Sequence, residues 1–121
     1  MYRKVAAAEL AKLLSIISHP DRILIIEELN QGELDVTAIQ ERLKISQSTT
    51  SRHLAIMKAQ NIVAERKEGR RVFYHLTVPV MAQWLIEGLD IIGKKTVQEK
   101  PLSKAFAAAK KMWTVSGEAD G

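Results

Sequence analysis

The period of the apolar pattern changes twice along the chain, and those two changes limit the fold more than any single residue does. Up to residue 59 the apolar residues recur at helical spacing, beginning with Leu10, Leu13, Leu14 and Ile17 at i, i+3, i+4 and i+7. Two short runs rich in β-branched and aromatic residues follow, Ile62 to Arg66 and Arg71 to Leu76, around Lys67-Glu68-Gly69-Arg70. A glycine at the tip between such runs predicts a hairpin. After Thr77 and Pro79 the helical period returns at Met81, Trp84, Leu85, Leu89 and Ile92, and it stops near Gly93. The pattern predicts a mainly α fold with one β-hairpin, in the order α-α-α-α-β-β-α.

The boundaries within this order follow from capping chemistry. A first helix is expected over residues 5–18. The run Ile23-Leu24-Ile25-Ile26 has the composition of a buried strand, but its flanks favour a helix. Pro20 suits a first turn, Asp21 complements the helix N-terminus and Asn30-Gln31-Gly32 is a stop, so a second helix, buried nearly all round, is expected from Pro20 to Leu29. A short third helix covers Val36 to Lys44, capped either by Asp35 or by Thr37, the latter boxed with Gln40. Ser46 caps a fourth helix reaching Ala59, with Thr50, Leu54 and Met57 facing inward. Residues 1–95 read as one domain and 96–121 as an extension. That extension has a final helix over 102–113, striped by Leu102, Phe106, Ala109 and Trp113, and a frayed end from Ser116 to Gly121.

Composition narrows the function classes. With 121 residues, 46% of them hydrophobic and 26% charged, the chain can bury one modest core. Cysteine is absent, which excludes disulfides, thiolate metal sites and cysteine nucleophiles. Aromatic residues make up only 5%, too few for a base-stacking platform for single strands. Glu9 and Lys12 interrupt the N-terminal stretch too soon for a signal peptide, so a cytoplasmic location is expected.

The third and fourth helices, separated only by Lys44-Ile45-Ser46, form a helix-turn-helix candidate. In that motif the second helix enters the major groove and offers its N-terminal side chains to the bases. Gln47 matches an adenine edge and Arg52 a guanine or a phosphate, while the hydroxyls of Ser46, Ser48, Thr49 and Ser51 suit phosphates or either base. Between Lys58 and Arg71 stand five basic residues, Lys58, Arg66, Lys67, Arg70 and Arg71, against Glu65 and Glu68. Three of the net +4 charges therefore lie in or beside the hairpin, as suits contact with a nucleic-acid backbone. The fifth helix carries Trp84, Leu85, Ile86, Leu89, Ile91 and Ile92 on more than one side, with Gly88 among them to permit close approach. So small a domain cannot cover them all, which points to a second subunit.

Three blocks then carry a resemblance: Ile17-Ser18-His19-Pro20-Asp21-Arg22-Ile23-Leu24, Ile45-Ser46-Gln47-Ser48-Thr49-Thr50-Ser51-Arg52-His53-Leu54, and Glu68-Gly69-Arg70-Arg71-Val72-Phe73-Tyr74-His75-Leu76. Their order and spacing resemble the ArsR/SmtB family of winged-helix repressors over residues 8–93. The resemblance implies a homodimer paired through the first and fifth helices, and a fourth helix that reads a pseudo-palindromic operator in duplex DNA. The expected dimer face comprises Leu10, Leu13, Leu14, Ile17, Met81, Trp84, Leu85, Gly88, Leu89 and Ile92.

The chain departs from the family at its two metal sites. Where the family has a pair of cysteines, it has Leu34-Asp35-Val36-Thr37; where the family has His and carboxylate ligands, it has Val78, Val80, Ile91 and Lys94. These side chains do not hold a transition metal, and His19, His53 and His75 fall on three different elements as packing or capping residues. No cofactor is expected, and an effector, if there is one, would be a small molecule or a protein. Nor is an enzyme expected, since the chain has no Gly-rich cofactor loop and no catalytic constellation. The alternative is a winged helix used only for protein contact, which would not need a hydroxyl-rich, Arg-tipped helix beside a basic hairpin.

Overall fold

Pro20 opens the central helix of the fold, where its missing N–H costs nothing, and the His19 side chain accepts from the Asp21 N–H at 3.2 Å to cap it. The computed structural model describes residues 1–95 and 100–119. In chain order the elements are α1 (Tyr2–Ile17), α2 (Pro20–Leu29), β1 (Leu34–Asp35), α3 (Val36–Leu43), α4 (Gln47–Ala59), β2 (Val63–Glu68), β3 (Arg71–Leu76), α5 (Val80–Lys95) and α6 (Lys100–Ala119). The expected order is present, with β1 added. No helix among the described residues is long and apolar enough to cross a membrane.

The core gathers around α2. Ile25 and Ile26 are wholly buried with Ile39 of α3 and Leu54 and Met57 of α4, and Ile62, Val63, Leu76 and Ala82 close it. β3 is the middle strand of a three-stranded antiparallel sheet ordered β1-β3-β2. Leu34 pairs with Tyr74 and Asp35 with Phe73, while β2 and β3 pair from Val63–Leu76 to Glu68–Arg71. Only Gly69 and Arg70 join the last two strands, and Gly69 takes the positive φ of 61° that a tight hairpin turn needs. That hairpin is the wing.

Asp35, not Thr37, caps α3: its carboxylate accepts from the Ala38 N–H at 2.8 Å. α1 is anchored at its C-terminal end, where Ile17 is buried and Leu13 and Ile16 pack on the core, and residues 1–12 are all exposed. α6 packs along α5, where Lys110 is paired with Asp90. It is longer than the expected 102–113 and runs through the stretch expected to fray as far as Ala119. Asp120 and Gly121 lie outside the described residues, as do 96–99 beside the expected domain boundary.

Candidate nucleic-acid interface

Three residues turn the chain from α3 into α4, and Lys44 makes the turn by taking a left-handed conformation, φ 55°. Ser46 then starts α4. Its hydroxyl accepts from the Thr49 N–H at 3.1 Å, contacts the Thr49 hydroxyl at 2.8 Å and lies 3.2 Å from that of Ser48. Thr50, His53, Leu54 and Met57 are buried beneath the helix, and the Thr50 hydroxyl donates to the Ser46 carbonyl at 2.9 Å. Gln47, Ser48, Ser51 and Arg52 are exposed on the outer side. The side chains of Gln47, Ser51 and Arg52 make no hydrogen bond or ion pair among the described residues, so their donors and acceptors face outward uncommitted. The Ser46 and Thr49 hydroxyls, grouped with them by sequence, are engaged in the cap instead.

The wing is different. Of the five basic residues in it or beside it at the end of α4, three are already paired within the chain. Lys58 lies 2.8 Å from Glu65. Arg66 binds Glu33 through Nε and Nη2, and Glu68 through Nη1 at 2.8 Å. Arg71 places Nη2 at 2.8 Å and Nε at 3.0 Å from one Asp35 oxygen. Both guanidinium groups also lie 4.7 Å from the centre of the Phe73 ring. The Ala38 N–H, and then Arg71, hold the Asp35 carboxyl below its usual range; the Arg66 hydrogen bond does the same for Glu33, and Lys58 for Glu65. Arg70 and Lys67 have no such partner among the described residues. A polar cleft of about 430 Å³ separates wing from helices, lined by Gln47, Ser51, Arg70, Arg71, Asp35 and Tyr74.

Beneath α4, the structure brings together two histidines that sequence placed on separate elements. The His19 and His53 rings are 4.4 Å apart, and ligand-capable atoms of His19, Asp21 and His53 lie within 4.8 Å of one another. This donor set does not suit a cation. The His53 Nδ1 accepts from Arg22 Nε at 3.1 Å, and the His19 Nδ1 accepts from the Asp21 N–H. With Nδ1 accepting, each ring carries a proton on Nε2 and has no lone pair to give, with the Arg22 charge alongside. Burial first, then the charges of His19, Arg22 and Arg52, push the His53 pKa down against the opposing pull of Asp21. Arg22 is the residue that sequence reasoning missed. Its signal was Pro20, which has no N–H to offer the end of α1.

The expected dimer face is partly open. Leu10, Leu14, Trp84 and Ile92 are exposed, and Leu13, Met81, Leu85, Gly88 and Leu89 are half-buried. Ile17 belongs to the subunit's own core. An apolar groove of about 250 Å³ runs between α1 and α5, lined by Leu14, Ile17, Trp84, Leu85, Gly88 and Ile91. A Cβ on Gly88 would meet nothing within 4 Å, so within one subunit there is open space beside it.

Residues 19–65, from the cap of α2 to the start of the wing, match the family described as bacterial regulatory protein, arsR family. The nodulation protein NolR of Rhizobium meliloti is 35% identical over 99 residues, which span 80% of this chain and 81% of NolR. The biofilm growth-associated repressor of Agrobacterium fabrum is 37% identical over 86 residues, 71% of this chain and 73% of that protein. The crystal structure of the transcriptional repressor BigR from Xylella fastidiosa superposes with a TM-score of 0.66 at 33% identity, covering 74% of this chain and 91% of that one. Relatives and solved structures alike are transcriptional regulators, not enzymes. With its capped α4, its wing and this breadth of similarity, the chain belongs to the arsR family and is a DNA-binding transcriptional repressor of the winged helix-turn-helix type.

Proposed function

We propose that this repressor works in the cytoplasm as a homodimer on a pseudo-palindromic duplex operator, and that its signal is not a transition metal. The exposure of α1 carries the reading. Helices in proteins owe most of their stability to tertiary packing of an apolar face, yet this 16-residue helix is held by its own subunit only near its C-terminal end. Tyr2, Val5, Leu10 and Leu14 are left open, and Leu14 lines one apolar groove with Trp84 and Ile91 of α5. A second copy pairing α1 and α5 with α1 and α5 covers both helices, and residues 1–95 then form the dimerisation and DNA-binding unit. Two copies of α4 would address half-sites about one helical turn (~10 bp) apart.

The metal-free reading rests on the side chains themselves. Asp35 is occupied by Ala38 and Arg71, and Val78, Val80, Ile91 and Lys94 offer no ligand atoms for a divalent cation. An apolar or anionic small molecule near α1, α5 and α6, or a partner protein, is the signal this leaves.

Sedimentation at micromolar concentration tests the dimer. Leu14→Glu leaves the subunit core intact and should yield a folded monomer that no longer shifts operator DNA; a monomeric wild type would overturn the reading. Zinc, cadmium, nickel and arsenite titrated into a preformed DNA complex should release nothing, and stoichiometric release would show a metal site. Failure to bind any duplex at either of two salt concentrations would instead favour a protein-contact module.

A further inference from the structure

We propose that Arg22 is the positioning residue that couples the dimer helix α1 to the reading helix α4, through one guanidinium shared between the Ile16 carbonyl and the His53 ring. The proposal rests on the reading above, in which α1 pairs subunits and α4 reads DNA.

The tie begins at the end of α1. In a helix the Ile16 carbonyl would accept from the N–H four residues on, but that residue is Pro20, which has none. Arg22 Nη1 donates to this orphan carbonyl instead, at 2.6 Å. The Nε of the same guanidinium donates to His53 Nδ1 at 3.1 Å. His53 is 2% exposed, lies in the middle of α4 and directly follows Arg52 on the outer face. One rigid, planar group thus holds the last turn of α1 and the body of α4 at a fixed separation. A change in the direction of α1, as subunits pair or an effector binds, is carried to Gln47, Ser51 and Arg52 as a shift of the whole helix.

The surroundings keep His53 an acceptor. His19 packs against its ring, Arg22 faces Nδ1, Asp21 Oδ2 lies 3.8 Å from Nε2, and Arg52 adds positive charge from α4 itself. Burial and the positive neighbours hold the ring neutral below the usual imidazole range. Protonation would set an N–H at Nδ1 against the Arg22 N–H and open the tie.

Three full-length proteins decide the matter: wild type, Arg22→Lys and His53→Asn. Lysine keeps the charge but not the two directed donors; asparagine keeps an acceptor near the Nδ1 position but does not titrate. The DNA probes are the tightest-binding duplex selected from a random double-stranded library, and a duplex with the same bases shuffled. Arg22→Lys should remain folded and dimeric and bind the selected duplex about tenfold more weakly, within the usual range for coupling between sites, with the shuffled duplex unchanged. His53→Asn should bind close to wild type. As pH falls below 6.5, wild type should lose preference for the selected duplex and His53→Asn should keep it. The Arg22 Nε–H should also give a slowly exchanging NMR signal in wild type and in His53→Asn.

Arg22→Lys binding the selected duplex within twofold of wild type would overturn the coupling, and so would a wild-type Nε–H that exchanges at the solvent rate. If Arg22→Lys fails to fold, the pH comparison and the exchange rate decide in its place. A wild type that selects no duplex would sink the DNA reading instead, and the exchange rate would still report on the tie.

Discussion

The helix α4 and the wing face the same cleft, yet they hold their polar groups in opposite ways. On α4 the uncharged cap is satisfied locally by Ser46, and Gln47, Ser51 and Arg52 are left without partners among the described residues. On the wing the charges are numerous, but Arg66 and Arg71 are each bound to a carboxylate, as is Lys58 beside it at the end of α4. The comparison teaches that a count of basic residues is not a count of available ones. Exposed pairs of this kind are worth only ~0–1 kcal/mol, so phosphate can displace the carboxylates, but each exchange gains less than contact with a free cation would. Arg70, at the tip, is the cation the wing has free to offer, while Lys67 on β2 feels the nearby charge of Glu65.

The sharpest way to break this comparison is to remove one free group from each region. Arg52→Ala or Gln47→Ala should relax sequence preference, each by about 1–3 kcal/mol if the side chain reads a base. Arg70→Ala should weaken all sequences alike and reduce the log–log salt slope by about 0.9, the value of one phosphate contact. Arg71→Ala, equally basic by sequence, should change the slope by less, because its charge is already partnered by Asp35. Competition titrations at several salt concentrations measure all four. A larger slope change from Arg71 than from Arg70 would reverse the ranking.

A subtler change releases a paired cation without touching any basic residue. Asp35→Asn keeps a good helix cap for α3 but removes the charge that holds Arg71. Stability should fall by no more than about 1 kcal/mol, since the Arg71 side chain is 66% exposed and surface pairs contribute little. Affinity for any duplex should rise and the salt slope should steepen, as Arg71 becomes free for phosphate. Unchanged affinity would mean that Arg71 does not reach DNA whether paired or not.

The same contrast explains what could be read from sequence. α4 was legible because its determinants are local: Ser46 caps the N–H three places on, and Thr50, Leu54 and Met57 repeat at helical spacing. So was the turn at Gly69. The pairing of the wing was not, because Glu33 and Asp35 lie 33 and 36 residues from the arginines they bind, and they come together only through β1. That strand has two residues, too short to show any period. The tie beneath α4 was hidden for the same reason, Arg22 and His53 being 31 residues apart. The surplus of exposed apolar residues on α1 and α5 was visible in the sequence, but not the assignment of Ile17 to the subunit core.

The turns that introduce the two regions give the smallest effect and a test of how each is built. Gly69 opens the wing's turn at φ 61°, while Lys44 opens the turn before α4 at φ 55°, where its Cβ is strained. A left-handed conformation costs a residue with a Cβ roughly 1–2 kcal/mol, and glycine's greater freedom in the unfolded chain offsets roughly 0.5–1 kcal/mol of any relief. Lys44→Gly should therefore stabilise the protein by about 0.5 kcal/mol. Gly69→Ala should destabilise it by about the same amount or slightly more. At Gly69 an added Cβ meets nothing within 4 Å, so its effect comes from the backbone alone. Urea denaturation of the full-length chain resolves changes of this size when midpoints are compared at constant slope. If Lys44→Gly lowers stability, the Lys44 side chain is holding the turn through its own contacts, and the entry to α4 is fixed by more than the cap at Ser46.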